Sequence, residues 1–216
     1  MIEEIVNEIV RMSGKYSGYE IFSDWIKATA ISISNTTDLF HGDIWVRREQ
    51  EYLEIVKKHG SENMLHFSEM YEMLVQTLGE DMQDVLGIIY MSAGLGSKQT
   101  GQFFTPFHIS RLTAEMIPED ISPKNPLILK EPSAGSGGMI IAAAKELAKR
   151  GVNYQKCMKV VAQDLDWKGV YMTYVQMSLL GIKGIVVQGD SLEEPYTRSY
   201  PKERILYTPA QKGMIM

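Results

Sequence analysis

The stretch Leu127-Ile-Leu-Lys-Glu-Pro-Ser-Ala-Gly-Ser-Gly-Gly138 decides the fold. A short apolar run ends in Glu131, and a glycine-rich turn follows. Met139 to Arg150 is then a run of strong helix formers, closed by Gly151 where helices commonly terminate. Strand, turn and helix in that order form the unit in which nucleotide-like ligands meet the carboxyl end of a parallel sheet. Gly135 and Gly137 have no side chain to hold a ligand off the backbone, and both tolerate the positive φ that such a turn demands. Glu131 ends the strand with a carboxylate aimed at anything cationic in the crevice.

What the turn lacks narrows the ligand. A phosphate-cradling loop needs Lys-Ser/Thr after the turn, and Gly137-Gly138-Met139 has no lysine. The dinucleotide fingerprint needs a third glycine where Ile140 stands, and an acidic residue before the turn repels a pyrophosphate. The same carboxylate suits an α-ammonium group, such as the methionine end of S-adenosylmethionine. A glycine-rich turn made only for tight packing is the other reading of these residues.

Three further stretches occur where such a cofactor requires them. Val160 to Asp166 is a second apolar strand ending in carboxylates, with Asp164 placed to accept hydrogen bonds from two ribose hydroxyls. Asp166 caps the next helix, Trp167 to Leu180, which Gly181 ends. The third strand, Gly184 to Gln188, leads into Gly189-Asp190, whose carboxylate can accept from an adenine amine. Both aspartates also fit ordinary turns at strand ends. Upstream, Gly101-Gln-Phe-Phe-Thr-Pro106 precedes a helical pattern from Phe107 to Ile117. Thr105 is the expected N-cap, Pro106 the first helical residue, and Ile109, Leu112 and Met116 the face packed on the sheet. The amino terminus of this helix offers a seat for a carboxylate. Phe103 and Phe104 are expected in the core.

The ordered set Gly-Gln-Phe-Phe-Thr-Pro, Glu-Pro-Ser-Ala-Gly-Ser-Gly-Gly, Ala-Gln-Asp and Gly-Asp resembles the γ-class N6-adenine DNA methyltransferases. Within that class it is most similar to the modification (M) subunit of type I restriction-modification systems, over residues 99 to 190. The resemblance implies an α/β, Rossmann-like, S-adenosylmethionine-dependent methyltransferase fold. It also implies that Thr105, Glu131, Pro132, Gly135, Gly137, Asp164 and Asp190 contact S-adenosylmethionine. The implied function is adenine-N6 DNA methylation within a restriction-modification system, with DNA and a specificity or other subunit as partners. The alternative is a non-catalytic cofactor-binding or assembly module.

The chain departs from the family where the target base would be held. The family carries Asn/Asp-Pro-Pro-Tyr/Phe after its fourth strand, where an amide oxygen and a backbone carbonyl orient the adenine amine and an aromatic ring stacks on the flipped base. Here the expected fourth strand, Arg204 to Tyr207, is followed by Thr208-Pro209-Ala210-Gln211. Thr208 has no amide oxygen, Ala210 lacks the second proline's rigidity, Gln211 stacks poorly, and Tyr207 is expected in the core. Only residues 191 to 216 follow Asp190. That is room for one strand, giving the cofactor half of the sheet in the spatial order 3-2-1-4. The expectation is therefore either a fragment or a naturally short relative.

The amino-terminal part carries helical apolar spacing over residues 2–12, 19–33, 43–59, 61–78 and 81–91. It reads as a small all-α domain, 1–95, ahead of a methyltransferase-like domain, 96–216, with a polar connection from Ser92 to Gly101. Asp81 and Asp84 resemble a carboxylate variant of the capping box. Met64, Met70, Met73 and Met82 read as core, or else as a partner surface.

With 216 residues and 44% hydrophobic content, the chain can bury one or two cores. No apolar run approaches a membrane span, and the single cysteine, Cys157, excludes an internal disulfide and fits a reducing cytoplasm. His41, His59, His66 and His108 show no metal-ligand spacing, so no metal is expected. A net charge of −5 opposes strong binding to phosphates. The pairs Arg47-Arg48 and Lys57-Lys58, and Arg198, Lys202 and Arg204, read as solvated faces. DNA binding by this chain alone is expected to be weak.

Overall fold

The computed structural model describes residues 1–95, 104–197 and 199–214. Phe103, Arg198 and most of the Ser92–Gly101 connection lie outside the described residues. The chain opens with four helices: α1 (Ile2–Met12), α2 (Gly18–Thr36), α3 (Asp43–Glu80) and α4 (Val85–Ser92). Ser17 and Glu20 form a complete capping box that starts α2. The backbone leaves helical geometry at Gly60 (φ 73°, ψ 171°), so α3 is two helical segments meeting where the sequence divides them.

Nearly every face of α2 is apolar, and the packing explains why. Trp25, Phe22 and Ile26 are fully buried, with the Trp25 indole N–H donating to the Phe67 carbonyl at 3.0 Å. The helix lies between α3 and α8, the helix that flanks the sheet. One continuous core therefore runs from Ile5 through Trp25 and Tyr90 to Ile140, Val186 and Leu206. Met70 is fully buried, and Met64, Met73 and Met82 pack against this core, as the core reading expects.

After α5 (Phe107–Ala114) come β1 (Leu127–Glu131), α6 (Gly138–Lys149), α7 (Tyr154–Cys157), β2 (Met158–Asp164), α8 (Trp167–Leu179) and β3 (Gly184–Gln188). β1, β2 and β3 are parallel neighbours: Glu131 pairs with Ala162, and Asp164 with Gln188. Their crossover helices α6 and α8 bury Ile140, Ile141, Val170 and Met177 completely. This is the expected mixed α/β, Rossmann-like architecture behind a helical region. Among the described residues, no helix is long and apolar enough to cross a membrane.

Several local expectations are corrected. β4 (Ile205–Tyr207) pairs antiparallel with β3, so the sheet order is β1-β2-β3-β4 rather than 3-2-1-4. A parallel strand beside β1 needs a long crossover, whereas the described part of 189–204 is loop and one short 3-10 turn, enough for a return along β3. Tyr207 is 38% exposed rather than core. The helix α5 begins at Phe107, with Pro106 as its cap: Pro106 is extended (ψ 134°), and its carbonyl receives the first helical N–H groups. The buried face of α5 is Ser110 and Ala114, small residues that let it approach α6. Ile109, Leu112 and Met116 are exposed. Asp84 alone caps α4, while Asp81 reaches Lys145 at 2.5 Å. Arg48 is not a solvated face: it donates to Ser34 Oγ and to the Ile205 carbonyl, and burial lowers its pKa.

Candidate cofactor site

The carboxyl ends of β1 and β2 position the turn. Its backbone is braced residue by residue. Ala134 N–H donates to the Gln163 carbonyl at 2.9 Å, and Gly135 N–H to Asp164 Oδ2 at 2.7 Å. The Gly135 carbonyl accepts from the Thr173 hydroxyl at 3.0 Å, and the Ser136 carbonyl accepts from Gln176 Nε2 at 2.7 Å. Gly137 N–H closes the turn onto the Ala134 carbonyl at 2.8 Å. Both glycines adopt positive φ, 56° at Gly135 and 94° at Gly137, as the sequence requires. Close packing adds a second reason: a Cβ on Gly135 would lie 2.8 Å from the Phe104 ring.

A cavity of about 290 Å³ opens over this turn, between Phe104, Thr105 and Ser110 on one side and Gly135, Met139 and Asp164 on the other. Phe104 is thus half core and half cavity wall, in contact with Tyr90 behind it. Among the described residues, no side chain caps the amino terminus of α6, which begins at the cavity. Ser110 is fully buried, and among the described residues its hydroxyl has no hydrogen-bond partner. Buried polar groups are nearly always paired, and this one lines the cavity.

The structure brings Thr105, Gly135 and Asp164 to the cavity wall. Glu131 ends β1 beside the cavity-bearing turn, where its Oε1 accepts from Ser133 N–H at 3.1 Å, and Pro132 and Gly137 stand in that turn. Asp190 lies one strand over, just past the end of β3, with Oδ1 accepting from Leu192 N–H at 2.8 Å. Asp164 Oδ1 accepts from Asp166 N–H at 2.9 Å. Burial is the larger influence on Asp164 and holds its pKa above the ordinary aspartate value, against the hydrogen bonds from Asp166 and Gly135. Asp166 caps α8 as expected.

Thr208 to Gln211 do not join them. Because β4 is antiparallel, its end lies beside the start of β3. The fully buried Thr208 hydroxyl there donates to the Ile182 carbonyl at 2.9 Å and accepts from Gly184 N–H at 3.1 Å. The expected target-base position is therefore at the opposite end of the sheet from Asp164. Sequence reasoning also missed four residues around the turn: Asp84, Ser110, Thr173 and Gln176. Thr173 and Gln176 stand one helical turn apart on α8, a spacing visible in the sequence, but nothing there names their partners.

Two other features lie away from the turn. A larger cavity, about 580 Å³, sits between α2 and α3, lined mainly by apolar side chains such as Ile33, Met64 and Phe67. Glu8, His66 and Glu69 converge on one another, a grouping that spacing alone could not show. The Arg11 guanidinium bonds both Glu8 and His66 of this group.

A glycine turn that opens a helix at the carboxyl ends of adjacent parallel strands, with a cavity over it, defines the class of Rossmann-like α/β proteins. The chain belongs to the N-6 DNA methylase family, whose model matches residues 66–209. Among solved structures, the type I restriction-modification system methyltransferase subunit from Streptococcus thermophilus is similar at 17% identity, with a TM-score of 0.48. The match covers 93% of this chain and 41% of that one, so the chain spans less than half of that subunit. No curated protein matches it.

Proposed function

We propose that the chain binds S-adenosylmethionine over the glycine turn, as the cofactor-holding part of an adenine-N6 DNA methyltransferase of restriction-modification type. The observation that carries this reading is the cavity itself. It joins Asp164, an uncapped helix start and the unpaired Ser110 hydroxyl above two glycines in positive φ. These groups fit a ligand with ribose hydroxyls and a charged amino acid end. Asp164 would accept from the ribose, Glu131 would face the α-ammonium group, and Thr105 with the start of α5 would face the carboxylate. Asp190 would meet the adenine amine, and Pro132, Gly135 and Gly137 would let the ligand lie against the backbone. When bound, the cofactor supplies an activated methyl group for direct in-line attack by an adenine amine, and the protein's part is alignment.

The placement of Thr208 favours a second reading for this chain by itself: it holds the cofactor without methylating. No amide side chain from the expected motif position stands near the cavity to orient a target base. DNA, bound weakly by this chain alone, and a specificity or other restriction-modification subunit are the partners we propose, in the cytoplasm. The helical part, 1–95, and the methyltransferase-like part, 96–216, are taken as two domains sharing one core.

Calorimetric titration with S-adenosylmethionine, alongside an Asp164→Ala variant, tests the reading. Binding with a Kd of about 100 μM or tighter, lost in the variant, supports it; such a Kd corresponds to roughly 5.5 kcal/mol. A folded wild-type chain that takes up no cofactor contradicts it.

A further inference from the structure

We propose that Asp84, contributed by the helical region, is a positioning residue for the glycine turn, so that the docking of α4 sets the shape of the cofactor seat. Its functional meaning rests on the cofactor reading above. Asp84 is only 3% exposed, and its two oxygens do different work. Oδ1 caps α4 by accepting from Gly87 N–H at 3.0 Å, and it also accepts from Gln176 Nε2 at 2.9 Å. Oδ2 accepts from the Ser136 hydroxyl at 2.5 Å.

Gln176, itself fully buried, completes the junction. Its amide nitrogen also donates to the Ser136 carbonyl at 2.7 Å, and its oxygen accepts from Leu86 N–H at 3.2 Å. Three elements distant in the sequence (α4, the turn and α8) are thereby joined at Ser136, the residue between the two positive-φ glycines. Capping α4 does not require this arrangement. An exposed carboxylate would cap as well, whereas a buried one carries a desolvation cost that bonded donors must offset. The second oxygen is spent on the turn. The fit around it is close, since a Cβ on Gly138 would lie 3.1 Å from Asp84 Oδ2.

The division of labour supplies the test. Ser136→Ala removes the hydroxyl that Oδ2 holds and leaves the cap. Asp84→Asn, with its amide oxygen in the Oδ1 position, keeps the cap and the Gln176 bond and turns an NH₂ group toward Ser136. Amide hydrogen exchange on the ligand-free chain reads the turn directly, because Gly137 N–H is bonded within it and Gly135 N–H ties it to Asp164. Each variant is expected to speed exchange at these two amides about tenfold while Leu147, near the far end of α6, and Val186 keep wild-type rates. In the same samples, S-adenosylmethionine affinity is expected to fall about tenfold, with the double variant no weaker than either single one. Turn amides at wild-type rates, or equal acceleration everywhere, overturn the proposal. If the wild-type chain binds no cofactor yet the variants show the selective acceleration, the cofactor reading fails and the positioning of the turn by Asp84 stands.

Discussion

The Ser110 hydroxyl and the Asp84 carboxylate are both buried polar groups, and their surroundings assign them opposite consequences. Ser110 has no partner among the described residues, so Ser110→Ala removes an unmet hydrogen-bonding group. In thermal melts without ligand the variant is expected to be neutral or more stable, by up to about 1 kcal/mol, while its cofactor-induced stabilisation shrinks. Asp84 is fully partnered, yet burial raises its pKa more than the hydrogen bonds from Ser136, Gln176 and Gly87 lower it. A carboxyl whose pKa is higher folded than unfolded binds its proton more tightly in the native state. Its contribution is therefore full below the unfolded value and is lost as pH rises through the folded one. Relative to wild type, Asp84→Asn is expected to gain melting temperature as pH increases from about 4 to 7; a constant offset would contradict this. At Gly135 the opposite change is harmful: Gly135→Ala brings a Cβ against Phe104 at positive φ, with an expected loss of about 1–3 kcal/mol and of cofactor binding. Gly135 and Gly137 were legible as turn glycines, and Asp164 as a strand-end carboxylate, because turn geometry and strand ends are local properties. Ser110 and Asp84 were not, since each acquires its meaning from partners that only the tertiary fold supplies.

Among the elements, the helices and the three parallel strands follow the sequence closely. Leu127–Glu131 and Gly184–Gln188 stand where their apolar runs place them, and Gly151 and Gly181 end α6 and α8 in positive φ. What local pattern could not show is which surface each element meets. The apolar positions of α5 predict packing through Ile109 and Leu112, but the helix turns Ser110 and Ala114 inward because small residues permit closer approach to α6. For β4, the sequence predicts a strand and is silent on its direction. The connection from β3 sets that direction, and with it the place of Thr208. Thr208→Val, which deletes the bonds to Ile182 and Gly184, is expected to cost about 1–3 kcal/mol in denaturant melts and to leave cofactor affinity unchanged. A large loss of affinity would return Thr208 to the cofactor end of the sheet.

Across the whole molecule, the helical region and the sheet share one core, and α2 and α4 reach the elements that carry the seat. Lys168 on α8 shows the same joining, its ammonium lying 4.7 Å and 4.8 Å from the ring centres of Tyr19 and Tyr90. Charge at this scale governs DNA. With a net charge of −5, the chain is expected to release duplex DNA in a mobility-shift assay at roughly 0.15 M salt, and retention there would show a basic surface that the sequence does not suggest. The central claim, a cofactor seat over the glycine turn, is tested most directly by an amide nitrogen–proton NMR titration with S-adenosylmethionine. Saturable shifts concentrated at Gly135, Gly137, Met139 and Ser110, with Thr208 and Gln211 unmoved, are the predicted result. Shifts at the Thr208 end of the sheet, or none at the turn, would contradict it.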